Sequence, residues 1–484
     1  MNPYKGIVNL LFLSCILVSC ITTGKGIESK PEYPMIKLKL ALFPEKGVME
    51  ARAEYHHAAA LYDQEVFLLN RDFTVESIKL GDETIDFSAQ IVPFTGEDTD
   101  YTIKEITVPG IKGKEEMLSV TYRGKLDGTT GFAPYVKETI NPDFSFFRWE
   151  TFCYPVFAKA TYDHLKKAWD ILFTYQLEVE VPKGLVVAAP VSLVEEKAEE
   201  EHSIYVYSTD EPVTLSALSF SVAPYHVTTS DIGVVYTFNE SAGYVEGLMQ
   251  DLKKVDAFYR SRFGDIDFIK GLKLIEIPNG FGSFVPLNTV IFLVQDGLKP
   301  DIHGRQQIFH EYAHLGWNAK TGREVQRCRF FDEAFAQYLA GRAMQKIYGE
   351  DFLKNYGEDI LSKYMEALRL GYIERVENDP ARAQTPIVEY GKYEYGGLSY
   401  TAGAWVLYIL NKALGDDVFD KKIEDFLKEY RGKKADFERF CSFFEPIDGF
   451  DGESFFQDWI FGTNGLEKLR SGVSVDEIVN QYVK

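Results

Sequence analysis

Cysteine is scarce in this chain of 484 residues, which contains five. Two of them lie in an apolar segment near the N-terminus, and the other three are Cys153, Cys328 and Cys441. An odd number of widely spaced cysteines does not make a disulfide framework of the kind that stabilises small secreted domains. We therefore expect these three cysteines to pack in the interior of a protein that depends on its hydrophobic core.

Positive charge is also in short supply, because 52 lysine and arginine residues stand against 73 aspartate and glutamate residues. The net charge of -21 argues against a nucleic-acid partner, since a phosphate backbone attracts basic surfaces. After the N-terminal segment, the sequence has no apolar run long enough to cross a membrane. Hydrophobic residues make up 45% of the chain, which predicts a well-packed protein of two or three domains.

The N-terminal segment has the pattern of an exported and anchored protein. Lys5 precedes an apolar run over residues 7–18, and such a short run after a positive charge is typical of a signal peptide. The residues before Cys20 resemble the bacterial lipobox, which implies removal of residues 1–19 and lipidation of the Cys20 thiol; an ordinary signal peptide cleaved elsewhere is the alternative. Residues 20–34 would form a flexible tether. We expect a location in the bacterial cell envelope, with a lipid anchor on Cys20 and the protein facing the periplasm or the cell exterior.

Alternation of apolar and polar residues dominates the next part of the chain. Residues 36–40 and 177–181 alternate in this way, and turn sequences such as Asp127-Gly128 separate the runs. The pattern predicts an antiparallel all-β domain over residues 35–228. The acidic stretch at residues 195–201 is expected to be a solvated loop between strands.

The pattern changes near residue 240, where apolar residues begin to recur at helical spacing. We therefore expect a second domain at residues 229–484, with a small sheet followed by a mostly helical body. Strands are predicted at residues 272–277 and 289–294. Helices are predicted at residues 244–263, 333–348, 351–370, 400–414 and 417–430, around the motif described next, and near residue 475.

The sequence His-Glu-Tyr-Ala-His occupies residues 310–314. On a helix, His310 and His314 are four residues apart, so both imidazoles project from one face and can bind a single zinc ion. Glu311 lies beside them, where it can act as a general base on water. A catalytic zinc needs a third protein ligand, and Glu333 on the next helical segment is the candidate. We expect one Zn2+ per chain, bound by His310, His314 and Glu333.

These residues resemble the membrane alanyl aminopeptidase family of gluzincin zinc peptidases, which includes leukotriene hydrolase. The eighteen residues between His314 and Glu333 match the ligand spacing of that family. Residues 332–338, Asp-Glu-Ala-Phe-Ala-Gln-Tyr, are similar to its Asn-Glu-Gly-Phe-Ala-x-Tyr. Residues 400–407 resemble the segment whose tyrosine binds the transition-state oxyanion, which implies this role for Tyr400.

The resemblance implies a multi-domain architecture, in which the antiparallel all-β domain is followed by a mostly α, thermolysin-like (α+β) zinc peptidase domain. The later C-terminal domains of the family have no counterpart in this sequence. It also implies hydrolysis of peptides in the manner of an aminopeptidase, with Glu311 as the base. Two other functions stay open: a zinc endopeptidase or other hydrolase that does not recognise a free amine, and a non-catalytic lipoprotein that binds peptides and contains zinc.

One loop departs from the pattern of the family. The family binds the free amine of its substrate with a glutamate in a Gly-Ala-Met-Glu-Asn loop, whereas no acidic residue occurs here from residue 277 to residue 295. Gly282 and Ser283 in this loop are expected to line the substrate site. Glu150 is the candidate for a carboxylate supplied by the β domain, and an exposed glutamate without a role is the alternative. We therefore expect cleavage of N-terminal residues to be weak or to depend on Glu150.

Overall fold

The computed structural model describes residues 33–484, apart from residues 60, 95–100, 131–135, 265–270, 288, 317–319, 322–327, 394, 431–432 and 484. The predicted signal peptide, Cys20 and most of the predicted tether lie outside the described residues. Within the part that is described, no helix combines the length and the apolar character needed to span a membrane.

The first half of the chain consists mainly of strands, together with the helix α1 (Tyr162–Trp169). The strands are β1 (Met35–Phe43), β2 (Val48–His56), β3 (Val66–Leu69), β4 (Phe73–Leu80), β5 (Glu83–Thr84), β6 (Ser88–Pro93), β7 (Thr102–Thr107), β8 (Leu118–Lys125), β9 (Asp127–Thr130), β10 (Lys137–Thr139), β11 (Ser145–Phe147), β12 (Thr174–Pro182), β13 (Val186–Ala188), β14 (Ser192–Ala198), β15 (His202–Ser208) and β16 (Phe220–Ala223).

An eight-stranded sheet in the order β14-β15-β12-β1-β2-β8-β4-β5 forms the main layer of this half. Every second residue of β1 and β12 is buried, because alternate side chains point to opposite faces of a sheet. Smaller sheets in the orders β13-β16-β11-β10-β9 and β3-β7-β6 complete the domain. The predicted antiparallel β domain is confirmed, although β1 and β12 pair in parallel, with Leu38 beside Leu177.

The prediction of a loop at residues 195–201 is wrong. Most of this acidic stretch belongs to β14, which pairs with β15 at the edge of the eight-stranded sheet. All seven side chains of β14 are exposed. An edge strand without a buried face shows no apolar alternation, so its sequence looks like that of a solvated loop.

The second half begins with a mixed sheet in the order β17-β18-β19-β21-β20. Its strands are β17 (His226–Thr229), β18 (Gly233–Thr237), β19 (Leu272–Ile277), β20 (Phe284–Leu287) and β21 (Val290–Val294), and a short pair, β22 (Lys320–Thr321) and β23 (Lys434–Ala435), lies apart from it. This sheet starts at residue 226, close to the predicted boundary at residues 228 and 229. The exact domain limits stay a prediction.

The remaining elements of the second half are helical, as expected. The α-helices are α2 (Val245–Phe263), α3 (Ile302–His314), α4 (Phe335–Tyr356), α5 (Ile360–Asn378), α6 (Pro380–Ala383), α7 (Ala404–Leu414), α8 (Asp416–Tyr430), α9 (Phe437–Ser442), α10 (Gly452–Phe456), α11 (Asn464–Ser471) and α12 (Val475–Val479). Short π-helical turns precede α4 at Phe330–Ala334 and α7 at Ser399–Gly403, and a third follows α10 at Gln457–Phe461.

The predicted helix break between residues 348 and 351 is wrong, because α4 runs through Gly349 without interruption. A glycine inside a helix costs only about 1 kcal/mol relative to alanine, which the packing of a long helix outweighs. The helix ends instead at Gly357, whose φ of +71° suits glycine and whose N–H donates to the Leu353 carbonyl at 2.8 Å. Asp359 then caps the start of α5.

Candidate active site and metal centre

The helix α3 carries the two histidines and begins at a well-defined cap. The Asp301 carboxylate accepts a hydrogen bond from the Gly304 N–H at 2.9 Å. A Cβ on Gly304 would come within 2.4 Å of the Lys299 carbonyl oxygen, so only glycine fits at this point. His310 and His314 lie on one face of the helix and keep part of their surface open to solvent.

The Nε2 atoms of His310 and His314 and the Oε2 atom of Glu333 form a nearly equilateral triangle. The two nitrogens are 3.2 Å apart, and they lie 3.0 Å and 3.3 Å from the carboxylate oxygen. Tetrahedral zinc bonds of about 2.0–2.1 Å place neighbouring ligand atoms about 3.3 Å apart. The three atoms therefore fit one zinc ion, and two imidazoles with one carboxylate are a ligand set of catalytic zinc sites with a fourth position open.

Glu333 is held in place by Arg329, a residue that the sequence reasoning missed. Arg329 donates to Oε1 of Glu333, which leaves Oε2 directed at the histidines, and its Nε donates to Asp332 at 2.8 Å. The backbone of Arg329 has a φ of +60°, an uncommon conformation for a residue with a side chain. The four-residue spacing to Glu333 in a helical segment was the signal that could have revealed this contact.

Two neighbouring glutamates have opposite protonation tendencies. Burial raises the pKa of Glu311 to about 7; the charge of Glu333 adds to the rise, while His310, Arg329 and Arg148 oppose it. Burial would also raise the pKa of Glu333, but Arg329 and the imidazoles hold it well below its usual range. Glu333 is therefore ionised, as a ligand must be, and Glu311 can accept and release a proton near neutral pH.

Tyr400 lies against the metal triangle. Its ring is nearly parallel to the His310 ring, with 6.0 Å between their centroids and an interplanar angle of 13°. Burial and the charge of Glu333 raise the pKa of Tyr400 well above its usual range, so the phenol keeps its proton and can donate it in a hydrogen bond. Gly403 allows this placement, because a Cβ there would come within 2.7 Å of the Ala334 Cβ on the turn that carries Glu333.

Glu150, Gly282 and Ser283 come together beside this centre through a second arginine that the sequence reasoning missed. Arg148 donates to both carboxylate oxygens of Glu150 and to the Gly282 carbonyl oxygen, at 3.2 Å for the latter. The Ser283 Oγ accepts the Val294 N–H at 3.1 Å. Glu150 is buried, so the alternative of an exposed glutamate is wrong.

The three cysteines after the N-terminal segment are free and buried, as expected. Cys328 is next to Arg329 in sequence, but its Sγ donates to the Ile387 carbonyl oxygen at 3.1 Å. In the described part of the chain, the group of side chains that can hold a metal is His310, His314 and Glu333.

Comparisons with known proteins agree with this geometry. Residues 301–459 match the Peptidase family M1 domain. Probable aminopeptidase 2 of Sulfurisphaera tokodaii is 22% identical over 299 residues, which cover 59% of this chain and 38% of that protein. The chain thus spans less than two fifths of the length of this curated relative.

Solved structures show the same fold at low sequence identity. An M1 zinc metallopeptidase variant of Deinococcus radiodurans, bound to a Tyr-Ser-Ala substrate, is 15% identical with a TM-score of 0.55; the match covers 88% of this chain and 93% of that one. Native yeast LTA4 hydrolase is also 15% identical, with a TM-score of 0.59 and coverage of 88% and 67%.

A His-Glu-x-x-His helix together with a third metal-binding glutamate in the turn before the next long helix is the arrangement of the gluzincin class of metallopeptidases. Residues 301–459 of this chain match the Peptidase family M1 domain, and the fold of the described chain is similar to that of M1 zinc metallopeptidases, in agreement with the resemblance found in the sequence. Its cofactor is one zinc ion, for which His310, His314 and Glu333 are the ligand set that the structure brings together.

Proposed function

We propose that this protein is a zinc-dependent metallopeptidase with an aminopeptidase-like catalytic centre, and that it hydrolyses peptide bonds. The observation that carries the proposal is the convergence of the ligand triangle, the Glu311 carboxylate and the Tyr400 phenol in one site. The peptide bound to the related Deinococcus radiodurans enzyme supports a peptide as the substrate class.

Each side chain of the site has a role in this chemistry. A bound zinc ion supplies Lewis acidity, which polarises a carbonyl group and lowers the pKa of water. His310, His314 and Glu333 bind the ion. The Glu311 carboxylate takes the proton of the attacking water and delivers a proton to the leaving amine nitrogen. The Tyr400 hydroxyl donates a hydrogen bond to the oxygen on which negative charge develops.

A second candidate is a zinc endopeptidase, or another hydrolase, that does not recognise a free amine. It is favoured by one observation, the engagement of both Glu150 carboxylate oxygens by Arg148. Because Arg148 already neutralises this carboxylate and occupies both of its oxygens, Glu150 offers little attraction to the ammonium group of a substrate.

The test is an activity assay on purified protein with a panel of short peptides, in which products are identified by mass spectrometry. We expect cleavage with zinc bound, loss of cleavage after chelation, and recovery when zinc is returned. Glu311→Gln is the matched control, because it should retain zinc and lose about a hundredfold or more in turnover. Stoichiometric zinc without turnover of any peptide would refute the proposal and favour a non-catalytic, peptide-binding protein.

We also propose that the protein is exported and anchored to a membrane of the bacterial cell envelope, facing the periplasm or the cell exterior. Support comes from the charged and apolar pattern before Cys20. Cys20→Ser should abolish incorporation of a labelled fatty acid and release the protein from the membrane fraction. Cys15→Ser is the matched control and should leave both unchanged. Membrane association that survives Cys20→Ser would contradict the anchor.

A further inference from the structure

One wall of the site contains an ion pair that the proposed chemistry does not use. Arg148 and Glu150 are joined by two hydrogen bonds, Nη2 to Oε1 at 2.7 Å and Nε to Oε2 at 3.1 Å. Their side chains are only 4% and 8% exposed. Such a two-point bond between an arginine and a carboxylate is among the strongest and most directional hydrogen-bonded pairs in proteins.

The pair is fixed against β20 and the loop before it. The Arg148 Nη1 donates to the Gly282 carbonyl oxygen at 3.2 Å, and its guanidinium lies 3.9 Å from the centre of the Phe284 ring. A guanidinium at this distance over an aromatic ring gains a further cation–π attraction. Arg148 is therefore held by Glu150, by the Gly282 carbonyl oxygen and by the Phe284 ring. Its positive charge remains beside the Glu150 carboxylate.

The same loop contacts the helix that carries the catalytic groups. Ser283, next to Gly282, has its Oγ 3.5 Å from the Nε2 of Gln307. Gln307 is three residues before His310 and four before Glu311, so these side chains neighbour one another on α3. The wall formed by Arg148, Glu150 and this loop thus contacts α3 at Gln307, which lies about one helical turn, about 5.4 Å along the helix axis, before the base.

Among the described residues, each carboxylate beside the metal triangle already has a partner or a role, and Asp332 is paired with Arg329. Glu150 is neutralised by Arg148, Glu333 is a metal ligand that also binds Arg329, and Glu311 is needed as the base. The loop adds none, since residues 277–295 contain no acidic residue. An ammonium pressed against this wall would be a buried charge without a counter-charge of its own, which is unfavourable.

We infer that this wall selects peptides that present a neutral acyl or amide group to it and disfavours peptides that present a free ammonium. The substrates are then N-blocked peptides or interior segments of longer chains. The inference rests on the proposed peptidase function. It favours an enzyme that does not recognise a free amine over one that requires it.

The experiment compares matched peptides that differ only in N-acetylation of the residue before the cleaved bond. With the wild-type zinc enzyme, kcat/KM should be about tenfold or more higher for the acetylated peptide, since a charged hydrogen bond typically accounts for such a ratio. Preference for the free amine by the same factor would overturn the inference. This comparison needs no variant and holds whether or not the variants fold.

Variants then test whether Arg148 causes the preference. Arg148→Gln releases the Glu150 carboxylate, so the ratio should shift about tenfold or more toward the free-amine peptide. Adding Glu150→Gln to this variant should abolish the shift. Arg439→Gln, which changes an exposed arginine in the same way, is the matched control and should behave as wild type. An Arg148→Gln enzyme that retains its zinc and shows the wild-type ratio would refute the role of the pair.

Binding distinguishes failure of this inference from failure of the proposed function. Calorimetry with zinc-loaded Glu311→Gln measures affinity for the same two peptides without turnover. Tighter binding of the acetylated peptide supports the inference even if the active enzyme cleaves neither peptide, a result that would count against the proposed function alone. Equal binding, or tighter binding of the free amine, rejects the inference.

Discussion

Glu333 and Glu311 have the same carboxyl group, but their different neighbours shift its pKa in opposite directions. Glu333 contacts Arg329 and two imidazoles, which stabilise its charge, whereas Glu311 lies in a buried position that favours its neutral form. A metal ligand must be ionised, and a general base works best with a pKa near the working pH. The surroundings of each residue thus match the role that the proposed function gives it.

The first prediction concerns Glu333 as a ligand. Glu333→Ala should weaken zinc binding by more than about a hundredfold, because loss of a ligand costs more than the 10–100-fold that loss of a hydrogen-bond partner of a ligand costs. Competition with a chromogenic chelator measures the affinity. Asp332→Asn changes the adjacent carboxylate and should retain one zinc per chain. Full zinc occupancy in Glu333→Ala would remove it from the ligand set.

The second prediction concerns the Tyr400 hydroxyl. Tyr400→Phe should lower kcat by about a hundredfold, the typical effect of deleting an oxyanion donor, with little change in KM or zinc content. The phenyl ring still packs against His310, so the change isolates the hydroxyl. Tyr408→Phe, on the same helical segment, is the control and should retain wild-type turnover. A Tyr400→Phe enzyme with near-normal kcat would reassign this residue to packing.

At the scale of elements, packing between helices builds the site and its support. The π turn before α4 and the π turn before α7 approach closely at Gly403, which brings Tyr400 to the side of the metal triangle. Farther along the chain, a buried ion pair between Arg342 and Asp420 joins α4 to α8. The position of α4, and with it the turn that carries Glu333, depends on such contacts.

The third prediction tests the contribution of this ion pair to stability. Arg342→Met should lower the free energy of unfolding by about 3–5 kcal/mol, because it leaves Asp420 buried without its main counter-charge. Asp420→Leu added to Arg342→Met should recover much of this loss, since a buried pair can be replaced by apolar residues at little cost. Urea denaturation measures both. A double variant as unstable as Arg342→Met would show that packing, and not the lone charge, causes the loss.

At the scale of the whole molecule, contacts join the two halves of the described chain. Lys273 on β19 donates to the carbonyl oxygens of Ala189 and Val191 at 2.7 Å each. Ser216 donates to the Pro286 carbonyl oxygen at 3.2 Å. Together with the bond from Arg148 to the Gly282 carbonyl oxygen, these contacts attach the β domain to the mixed sheet and to the loop before β20.

The fourth prediction concerns the pH dependence of stability. Glu276 is fully buried on β19, accepts hydrogen bonds from the Phe238 N–H and the Ser241 hydroxyl, and has its pKa raised to about 7 by burial. A carboxyl group with a raised folded pKa binds its proton more tightly in the folded state. Its contribution is therefore fully present below the unfolded pKa near 4.5 and is lost as the pH rises through 7.

Between pH 5 and pH 8, this loss should amount to about 2–3 kcal/mol. Glu276→Gln remains neutral and should remove that part of the decline. Urea denaturation of both proteins at the two pH values gives the difference, in which effects common to both proteins cancel. Parallel pH profiles for the wild type and the variant would contradict the prediction.

The sequence by itself determined the parts of this protein that depend on local geometry. The four-residue spacing of His310 and His314 places both imidazoles on one helix face regardless of the rest of the fold, and alternation along β1 and β12 defines their buried faces. The resemblance of short motifs then pointed to Glu333 and Tyr400. The edge strand β14 was missed because a strand exposed on both faces has no local pattern.

Only the tertiary structure decided which carboxylate beside the metal triangle is neutralised and how its partner is held. Arg148 and Gly282 are 134 residues apart, and no local pattern predicts that they meet. That contact helps to hold the Arg148 guanidinium beside the buried Glu150, which makes a candidate amine-binding carboxylate one half of a neutral pair. Electrostatic interactions depend on distance and on exclusion of water, and both are set by the packing of the whole chain. The proposed catalytic groups could therefore be named from the sequence, whereas the neutralisation of Glu150 by Arg148 became visible only in the folded chain.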